Sequence, residues 1–311
     1  MSEETINTRN KRRPWIADTL SFIMPGLGHV YCGRLVKGLV LLFICGLPVI
    51  ALETLMIFKT SAVTMPLALI AIILSYMLYF VVIVDSHYLA RNTKVDYALK
   101  EYNRWYVYML LVLINMGSSV TVALSIRANY FEAFYVPSFS MFPTIHNGDR
   151  FITNKIVYKN TDPQRGDIVV FKNPENRHMN YIKRIVAIAG DTVEMKSGEL
   201  IINGQTLQRT SLGPVKLEKQ NGEIEGQITT EQNGRAEYRI FLANESQRDK
   251  NVITDFDPIK VPQNHCFVLG DNRFESKDSR HFGAVPLATI KGRAGFLYFP
   301  SEDWSRFGKM N

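Results

Sequence analysis

The sequence predicts an α-helical transmembrane anchor followed by a mainly antiparallel β domain. Long apolar stretches are confined to residues 1–129, whereas short β-branched or aromatic runs, bounded by Gly, Asn, Asp and Pro, fill residues 130–311. The chain has 311 residues and is 46% hydrophobic, which is enough to build a buried core in the second region. We therefore expect a membrane anchor region over 1–129 and a separate domain over 130–311.

Three stretches have the length and composition of membrane-spanning helices. The first covers 38–58 and is interrupted only by Pro48 and Glu53, while the stretches at 63–84 and 105–126 carry no charge. Together they are too long and too numerous for a cleaved signal peptide. The sequence therefore predicts three spans.

An additional apolar stretch, "WIADTLSFIMPGLGHVYCG" at 15–33, precedes these spans. Pro25, Gly26 and Gly28 interrupt it, and Asp18 adds a charge. These breaks favour an interfacial or re-entrant segment, and a fourth span is the alternative.

The basic residues of the first region predict its orientation. They lie before the first span and between the second and third, whereas the loop between the first two spans has only Lys59. Because basic loops stay in the cytoplasm, the N-terminus is expected there and the β domain outside. This distribution fits membrane flanks better than a nucleic-acid surface, so no nucleic-acid partner is expected. The flanking residues are Arg9, Lys11, Arg12, Arg13, Arg34 and Lys37, then Arg91, Lys94, Lys100 and Arg104.

The cysteines and histidines indicate neither a disulfide framework nor a metal centre. The three cysteines are Cys32, Cys45 and Cys266, and only Cys266 lies in the second region. The sequence has no CxxC motif and no Cys/His cluster with zinc spacing, and its six histidines are scattered. We expect no metal and no cofactor.

Short strands account for much of the second region. Ser197 and Gly198 lie between two of the apolar runs and predict a hairpin turn. Residues 208–260 are more polar and are interpreted as an insertion between core strands. The predicted strands are 167–171, 181–190, 191–204, 265–270 and 293–299.

Three stretches of the second region carry residues for chemistry. The first, "PSFSMFPTIHNGD" at 137–149, holds two serines between prolines, which suits a positioned hydroxyl pair but is equally typical of a turn. A serine nucleophile needs a base. Lys183, in the apolar run "YIKRIVAIAG", becomes such a base if burial suppresses its charge, and otherwise it is a solvated side chain.

The third stretch, "GDNRFESKDSRHFG" at 270–283, follows an apolar strand. It is a solvated loop or a rigid support, in which an Asp/Arg pair fixes the geometry and Ser276 orients a lysine amine. Its charged residues are Asp271, Arg273, Glu275, Lys277, Asp278 and Arg280.

The three stretches together resemble the type I signal peptidases, which are membrane-anchored serine proteases with a Ser/Lys dyad. The family's Ser-x-Ser-Met-x-Pro-Thr box is similar to "SFSMFPT" at 138–144, and its following Gly-Asp matches Gly148 and Asp149. The lysine strand matches "RGDIVVFKNP" and "YIKRIVAIAGD", and the last box matches 270–283 in its Ser-x-Asp-x-Arg order.

The resemblance implies a role for each matched residue. Ser140 is the expected nucleophile, Lys183 the general base and Ser138 a donor to the oxyanion. Ser276 is expected to hydrogen-bond the lysine amine. Site support is expected from Asp278 and Arg280, as a salt-bridged scaffold, and from Asp271.

The resemblance also implies the substrate and the location. Signal peptides end in a small-x-small pattern, and the expected lining of the binding pockets is Phe134, Val136, Tyr181 and Ile182. The expected partners are signal peptides of exported preproteins, the lipid bilayer and the secretion translocon. A lysine rather than a histidine as base points to a bacterial or organellar enzyme, and we expect a multi-pass protein of the bacterial inner membrane.

Two features depart from the family pattern. Phe139 stands between the two serines, where a smaller residue is frequent, and three spans exceed the usual one or two. The first hundred residues are thus an extra module, which binds a partner or only anchors the enzyme. Self-cleaving repressors of the LexA type use a related Ser/Lys pair but carry a DNA-binding domain instead of spans. A catalytically idle membrane receptor or assembly factor on the same fold is the alternative function.

Overall fold

The computed structural model describes residues 12–58, 64–93, 100–219, 222–249 and 251–310. Its contacts divide the chain into two compact units, Met1–Leu124 and Ser125–Asn311. The first unit is helical and the second is built mainly from antiparallel strands. The predicted fold class of the second region, a mainly antiparallel β domain, is confirmed.

Helices form the first unit. They are α1 (Pro14–Ile23), α2 (Leu27–Tyr31), α3 (Leu35–Phe58), α4 (Thr64–Asn92), a 3-10 turn at Glu101–Asn103, and α5 (Trp105–Asn129), which continues into the second unit. Within the described residues, Ile73–Asn92 and Trp105–Asn129 are long and apolar enough to cross a membrane, by length and composition, and Leu35–Gly46 is a shorter apolar stretch. The predicted spans at 38–58 and 63–84 lie partly outside the residues whose side chains are described.

The predicted interfacial segment at 15–33 folds as two short helices, α1 and α2. Their 10 and 5 residues are each too short to cross a bilayer, so no continuous fourth span runs through this segment. Gly26 has a φ of +93°, and a Cβ there would lie 2.1 Å from the carbonyl oxygen of Gly38. Gly26 therefore allows the start of α2 and the helix α3 to approach closely, and Gly28 lies in the same way against Ser21 and Ala17 of α1.

Three consecutive polar residues of α4, Asp85–His87, reach partners on three other helices. Polar and charged groups in an apolar helix are costly unless they are paired, and each of these three side chains has a partner. Asp85 accepts hydrogen bonds at 2.6 Å from His29 of α2 and Lys37 of α3, Ser86 contacts Ser21 of α1 at 2.9 Å, and His87 contacts Asp18 of α1 at 2.9 Å.

The second unit contains an eight-stranded antiparallel sheet that carries the candidate site. Its path runs β1 (Phe131–Tyr135), β2 (Arg150–Asn154), β14 (Ile290–Phe299), β3 (Ile168–Lys172), β4 (Asn180–Ile188), β12 (His265–Leu269) and β13 (Val285–Pro286), with β15 (Gly308–Lys309) beside β14. The short helices α6 (Val157–Asn160) and α7 (Ser279–Phe282) lie in its connections. Fully buried side chains of β3, β4 and β12 form a core, which explains why these strands read as apolar runs.

A four-stranded sheet continues from β4. Its order is β11 (Phe256–Lys260), β5 (Thr192–Lys196), β6 (Glu199–Ile202) and β7 (Gln205–Thr206). Ser197 and Gly198 have φ values of +49° and +77° in the turn between β5 and β6. Two successive positive φ angles are typical of a type I′ hairpin, so the predicted turn is confirmed.

A three-stranded sheet occupies most of the predicted polar insertion. Its strands are β8 (Gln208–Lys219), β9 (Gly222–Asn233) and β10 (Ala236–Ala243), in the order β10-β9-β8. We call these three strands the 208–243 sheet. The segment from 256 to 260 differs from the predicted insertion, because as β11 it pairs with β5 in the four-stranded sheet.

The predicted strands coincide with observed ones, with shifts of a few residues at their ends. The largest difference is at β14, which begins at Ile290 rather than at 293. β1 has no regular alternation of buried and exposed residues, whereas β2 has one, and neither was among the predicted strands. They form the edge of the main sheet next to the two serines.

Candidate active site

The two serines lie in a loop between β1 and β2 that is closed on itself. Gly148 N–H donates to the carbonyl of Val136 at 2.8 Å, and Val136 N–H donates to the carbonyl of Asp149 at 3.0 Å. Met141 and Ile145 are fully buried and anchor the loop in the core. Backbone hydrogen bonds and buried side chains thus hold the segment that carries the two serines.

Lys183 is brought to Ser140 by β4. Its Nζ lies 2.8 Å from Ser140 Oγ and 2.9 Å from the carbonyl oxygen of Ile182. Ser138 Oγ lies 3.3 Å from Ser140 Oγ. The structure therefore brings together the three residues whose hydroxyl or amine groups were expected to react or to stabilise charge.

Lys183 is only 4% exposed, so the alternative of a solvated side chain is wrong. Burial lowers the pKa of Lys183 to about 8, because an ammonium ion loses its hydration there. The carboxylates of Asp278 and Asp271 act in the opposite direction, and the guanidinium of Arg280 adds to the lowering. The result is an amine that is partly neutral near physiological pH.

The loop between β12 and α7 is fixed by the predicted Asp/Arg pair. Arg280 donates to both carboxylate oxygens of Asp278 at 2.8 Å, and Gly270 N–H donates to the same carboxylate at 3.0 Å. Burial alone would raise the pKa of Asp278, but the paired guanidinium holds that pKa below its usual value. The loop is a rigid support, and the solvated-loop alternative is wrong.

Ser276 does not hydrogen-bond Lys183 in this structure. Its Oγ is buried and, among the described residues, has no hydrogen-bond partner. The lysine amine is directed instead to Ser140 Oγ and the Ile182 carbonyl. The expected contact is therefore corrected: Ser276 packs against Gly270, where a Cβ would lie 2.2 Å from its Oγ.

Asp271 is paired with Arg184, which sequence reasoning missed. Arg184 is 1% exposed and donates to the two carboxylate oxygens of Asp271 at 2.8 and 2.7 Å. It also donates to the Gly166 carbonyl at 2.7 Å and to Thr144 Oγ at 3.1 Å. Arg184 follows Lys183 on β4, and strand alternation sends its side chain to the opposite face. Sequence reasoning gave only an indirect indication of this pair, because it assigned no partner to Asp271.

The loop also contacts the backbone of the serine segment. Asn272 N–H donates to the carbonyl of Ser140 at 3.1 Å, and Asn272 Nδ2 donates to the carbonyl of Phe139 at 3.3 Å. Asp271 and Asn272 thus link the lysine strand to the nucleophile candidate.

An open groove of about 290 Å³ runs beside Ser140 and Lys183. All four residues predicted to line the binding pockets do line it, and so do Met179 and Lys277. The four are Phe134, Val136, Tyr181 and Ile182. Within the described residues, the groove included, no group of three or more His, Cys, Asp or Glu side chains is arranged to hold a metal ion.

The β domain that carries Ser140, Lys183 and the groove is similar to a known protein family. The family described as "Signal peptidase, peptidase S26" matches residues 106–299, more than half of the chain. The chain therefore belongs to the signal peptidase family, peptidase S26, a family of proteases. The first 105 residues lie outside this match.

Curated relatives agree with the family. Signal peptidase I of Bacillus amyloliquefaciens is 34% identical over 186 residues, which is 60% of this chain and 82% of that protein. Signal peptidase I of Aquifex aeolicus is 34% identical over 215 residues, 61% of this chain and 84% of that protein. Among solved structures, a signal peptidase I from Enterococcus faecalis is 28% identical to this chain, with a TM-score of 0.25. The aligned region covers 43% of this chain and 97% of the Enterococcus chain.

Proposed function

We propose that the protein is a membrane-anchored serine endopeptidase that removes signal peptides from exported preproteins at small-x-small sites. The observation that carries the proposal is the 2.8 Å contact between Ser140 Oγ and buried Lys183 Nζ beside an apolar groove. The relatives named signal peptidase I support the choice of substrate.

Acylation uses the neutral amine of Lys183. Its lone pair takes the proton of Ser140 as Oγ bonds to the scissile carbonyl carbon, and the carbonyl oxygen becomes an oxyanion. The Ser138 hydroxyl and the Ser140 backbone N–H donate hydrogen bonds to that oxyanion. The Lys183 ammonium then protonates the leaving amine as the peptide C–N bond breaks, which leaves an acyl-enzyme and a neutral lysine.

Deacylation repeats these proton transfers with water. Neutral Lys183 takes a proton from a water molecule as the water oxygen attacks the ester carbon. The ester C–O bond breaks, Ser140 Oγ leaves, and the lysine ammonium returns the proton to it. The released signal peptide ends in a carboxylic acid, and the enzyme is restored.

The groove suits short apolar side chains. Its lining is largely apolar, with Phe134, Val136 and Ile182 beside the reactive pair. An extended peptide alternates its side chains, so the residues at positions −1 and −3 face the same wall. We propose that this wall selects small residues at those two positions.

The helical unit is proposed to anchor the enzyme in the bacterial inner membrane as a multi-pass protein. The two candidate spans support an anchor, and the basic flanks support a cytoplasmic N-terminus and an extracytoplasmic catalytic domain. Lipid and the secretion translocon are the proposed partners of this unit.

The reaction is tested with a synthetic preprotein that carries Ala at −1 and −3. Purified, detergent-solubilised protein should cleave it after the −1 residue, and the Ser140→Ala and Lys183→Ala variants should not. Lys196→Ala is a matched control, because Lys196 lies on the same domain with its side chain 70% exposed. Cleavage by either active-site variant at the wild-type rate would refute the Ser/Lys assignment. If neither wild type nor variants cleave, and all are folded, the idle-receptor alternative is favoured.

The orientation is tested with alkaline phosphatase fusions, since this enzyme is active only outside the cytoplasm. A fusion after Asn203 in the catalytic domain should be active, and a fusion at Asn92 should be inactive. The reverse pattern would overturn the proposed orientation.

A further inference from the structure

The 208–243 sheet makes backbone contacts with the loop that supports the candidate active site. Phe241 N–H of β10 donates to the carbonyl of Asp271 at 2.8 Å, and Arg273 N–H donates to the carbonyl of Phe241 at 3.1 Å. Phe241 and Asn272 form a parallel β-bridge. The loop segment from 271 to 273 therefore runs beside β10 as a short additional strand.

A buried charge cluster reinforces this contact. Glu231 of β9 is completely buried, and its carboxylate accepts hydrogen bonds from both terminal nitrogens of Arg273. Arg209 Nε donates to it at 2.9 Å, and the Tyr238 hydroxyl donates to it at 3.0 Å. Burial would raise the pKa of Glu231, but the two arginines hold that pKa below its usual value. The carboxylate is therefore charged and fully paired.

The same tyrosine contacts the other arginine of the site. The guanidinium carbon of Arg184 lies 4.4 Å from the centre of the Tyr238 ring, a cation–π distance. Arg184 in turn holds both carboxylate oxygens of Asp271. Glu231 and Tyr238 thus hold the two ends of the Asp271–Arg273 segment.

This segment holds the backbone of the nucleophile. Asn272, its central residue, donates from N–H to the Ser140 carbonyl and from Nδ2 to the Phe139 carbonyl. Burying a charge is costly unless it is paired. An insertion that only covered the surface would not require a buried carboxylate such as Glu231, with its three side-chain donors. Here the paired charge lies between the insertion and the segment that contacts Ser140.

We propose that Glu231 and Tyr238 are positioning residues for Ser140, acting through Arg273 and Arg184. The 208–243 sheet is then part of the support of the active site. This inference deepens the proposed function and rests on it.

The first test compares two identical substitutions on β9. Glu231→Gln places an amide N–H₂ against the guanidinium groups, whereas Glu225→Gln changes an exposed carboxylate that contacts Lys216. We expect Glu231→Gln to lower kcat on the Ala(−3)/Ala(−1) preprotein by about tenfold to a hundredfold, the scale of a small misplacement of reacting groups, with KM unchanged. Glu225→Gln should match wild type in kcat and KM.

Thermal unfolding of the same samples separates positioning from stability. A purely structural role lowers the melting temperature but leaves kcat per folded molecule unchanged at a temperature well below melting, and that result would overturn the inference. A fall in kcat of the folded protein at unchanged KM supports it.

A milder variant keeps the inference testable if Glu231→Gln does not fold. Tyr238→Phe keeps the ring on Arg184 and removes the hydroxyl, which donates to Glu231 and accepts from Asn233 Nδ2 at 3.3 Å. We expect it to lower kcat severalfold, and the Glu231→Gln/Tyr238→Phe double variant to lose no more than Glu231→Gln alone, because both act through one carboxylate. Wild-type kcat in folded Tyr238→Phe, or additive losses in a folded double variant, would contradict a shared positioning role.

Wild type and Lys183→Ala are measured in parallel. If wild type does not cleave, or Lys183→Ala cleaves equally well, the proposed function fails. If wild type cleaves, Lys183→Ala does not, and folded Glu231→Gln has the wild-type kcat, only the positioning inference fails.

Discussion

The pH dependence of cleavage should follow the protonation of Lys183. Burial lowers the pKa of Lys183 to about 8, and only the neutral amine can take the proton of Ser140. With that pKa, the neutral fraction is about one-tenth at pH 7, about half at pH 8 and about nine-tenths at pH 9. The kcat/KM of the enzyme should therefore rise about tenfold between pH 7 and pH 9.

The assay is kcat/KM from pH 6 to pH 10 for the detergent-solubilised protein, because this parameter reports groups that titrate in the free enzyme. The substrate should have no titrating side chain near the scissile bond. Far below the midpoint, activity should fall about tenfold per pH unit. A flat profile between pH 7 and pH 9, or a rise centred near the ordinary lysine value of 10.5, would refute the reasoning.

Three other predictions concern the same site. Lys183→Met should be inactive, and yet its free energy of unfolding at pH 7 should exceed that of wild type by about 3 kcal/mol. This is the cost of lowering the lysine pKa from 10.5 to about 8 on folding. A lower free energy of unfolding for the variant in chemical denaturation would contradict this. The sign follows because the unfolded lysine binds more protons between pH 8 and pH 10.5, so the wild-type free energy of unfolding rises with pH across that window. Ser138→Ala should lower kcat by about 10²–10³-fold if its hydroxyl is an oxyanion donor, and an unchanged kcat excludes that role. Gly270→Ala should lower kcat at unchanged KM, because a Cβ there would lie 2.2 Å from Ser276 Oγ and 2.5 Å from the Ser140 carbonyl oxygen; wild-type kcat would show that the loop adapts.

Local patterns were sufficient to predict much of the β domain. The apolar runs became β3, β4 and β12 because fully buried strands need continuous apolar residues, and Ser197–Gly198 formed the hairpin because both positions adopt positive φ. The groove residues, among them Phe134 and Ile182, came from the family resemblance rather than from a local pattern, and they line the groove beside Ser140. β1 was missed because its burial pattern is irregular, and the position of β2 depends on pairing with β1 and with the distant β14.

Long-range partners could not be predicted in this way. Arg184 and Asp271 are 87 residues apart, and Glu231 and Arg273 are 42 residues apart, so no local spacing relates them. The polar composition of 208–260 indicated an insertion between core strands, because single buried charges do not change the average polarity of a strand. Ser276 was recognised as part of a motif, but its expected hydrogen bond to Lys183 is absent. The lysine amine contacts Ser140 and the Ile182 carbonyl instead, and local sequence does not determine that direction.

The "PGLG" motif of the helical unit was interpreted only as a break in an apolar stretch. In the structure these glycines permit backbone contact that no other residue allows: Cβ atoms at Gly26 and Gly28 would meet backbone or hydroxyl oxygen at 2.1 and 2.3 Å. Together with the paired Asp85 and His87, they indicate a specifically packed bundle. A hydrophobic anchor by itself requires none of these contacts.

Burial lowers the pKa of Lys183 although two carboxylates, Asp278 and Asp271, act to raise it. A buried lysine beside an unpaired carboxylate keeps its proton, because the opposite charge favours the ammonium form. Here each carboxylate has its own guanidinium, Arg184 for Asp271 and Arg280 for Asp278. Each carboxylate charge is thus paired with a guanidinium, and desolvation is the largest influence on the lysine pKa. Removing the Arg280 guanidinium should raise the lysine pKa and move the rise in activity to higher pH, which gives this arginine a catalytic consequence although it does not contact the reacting atoms.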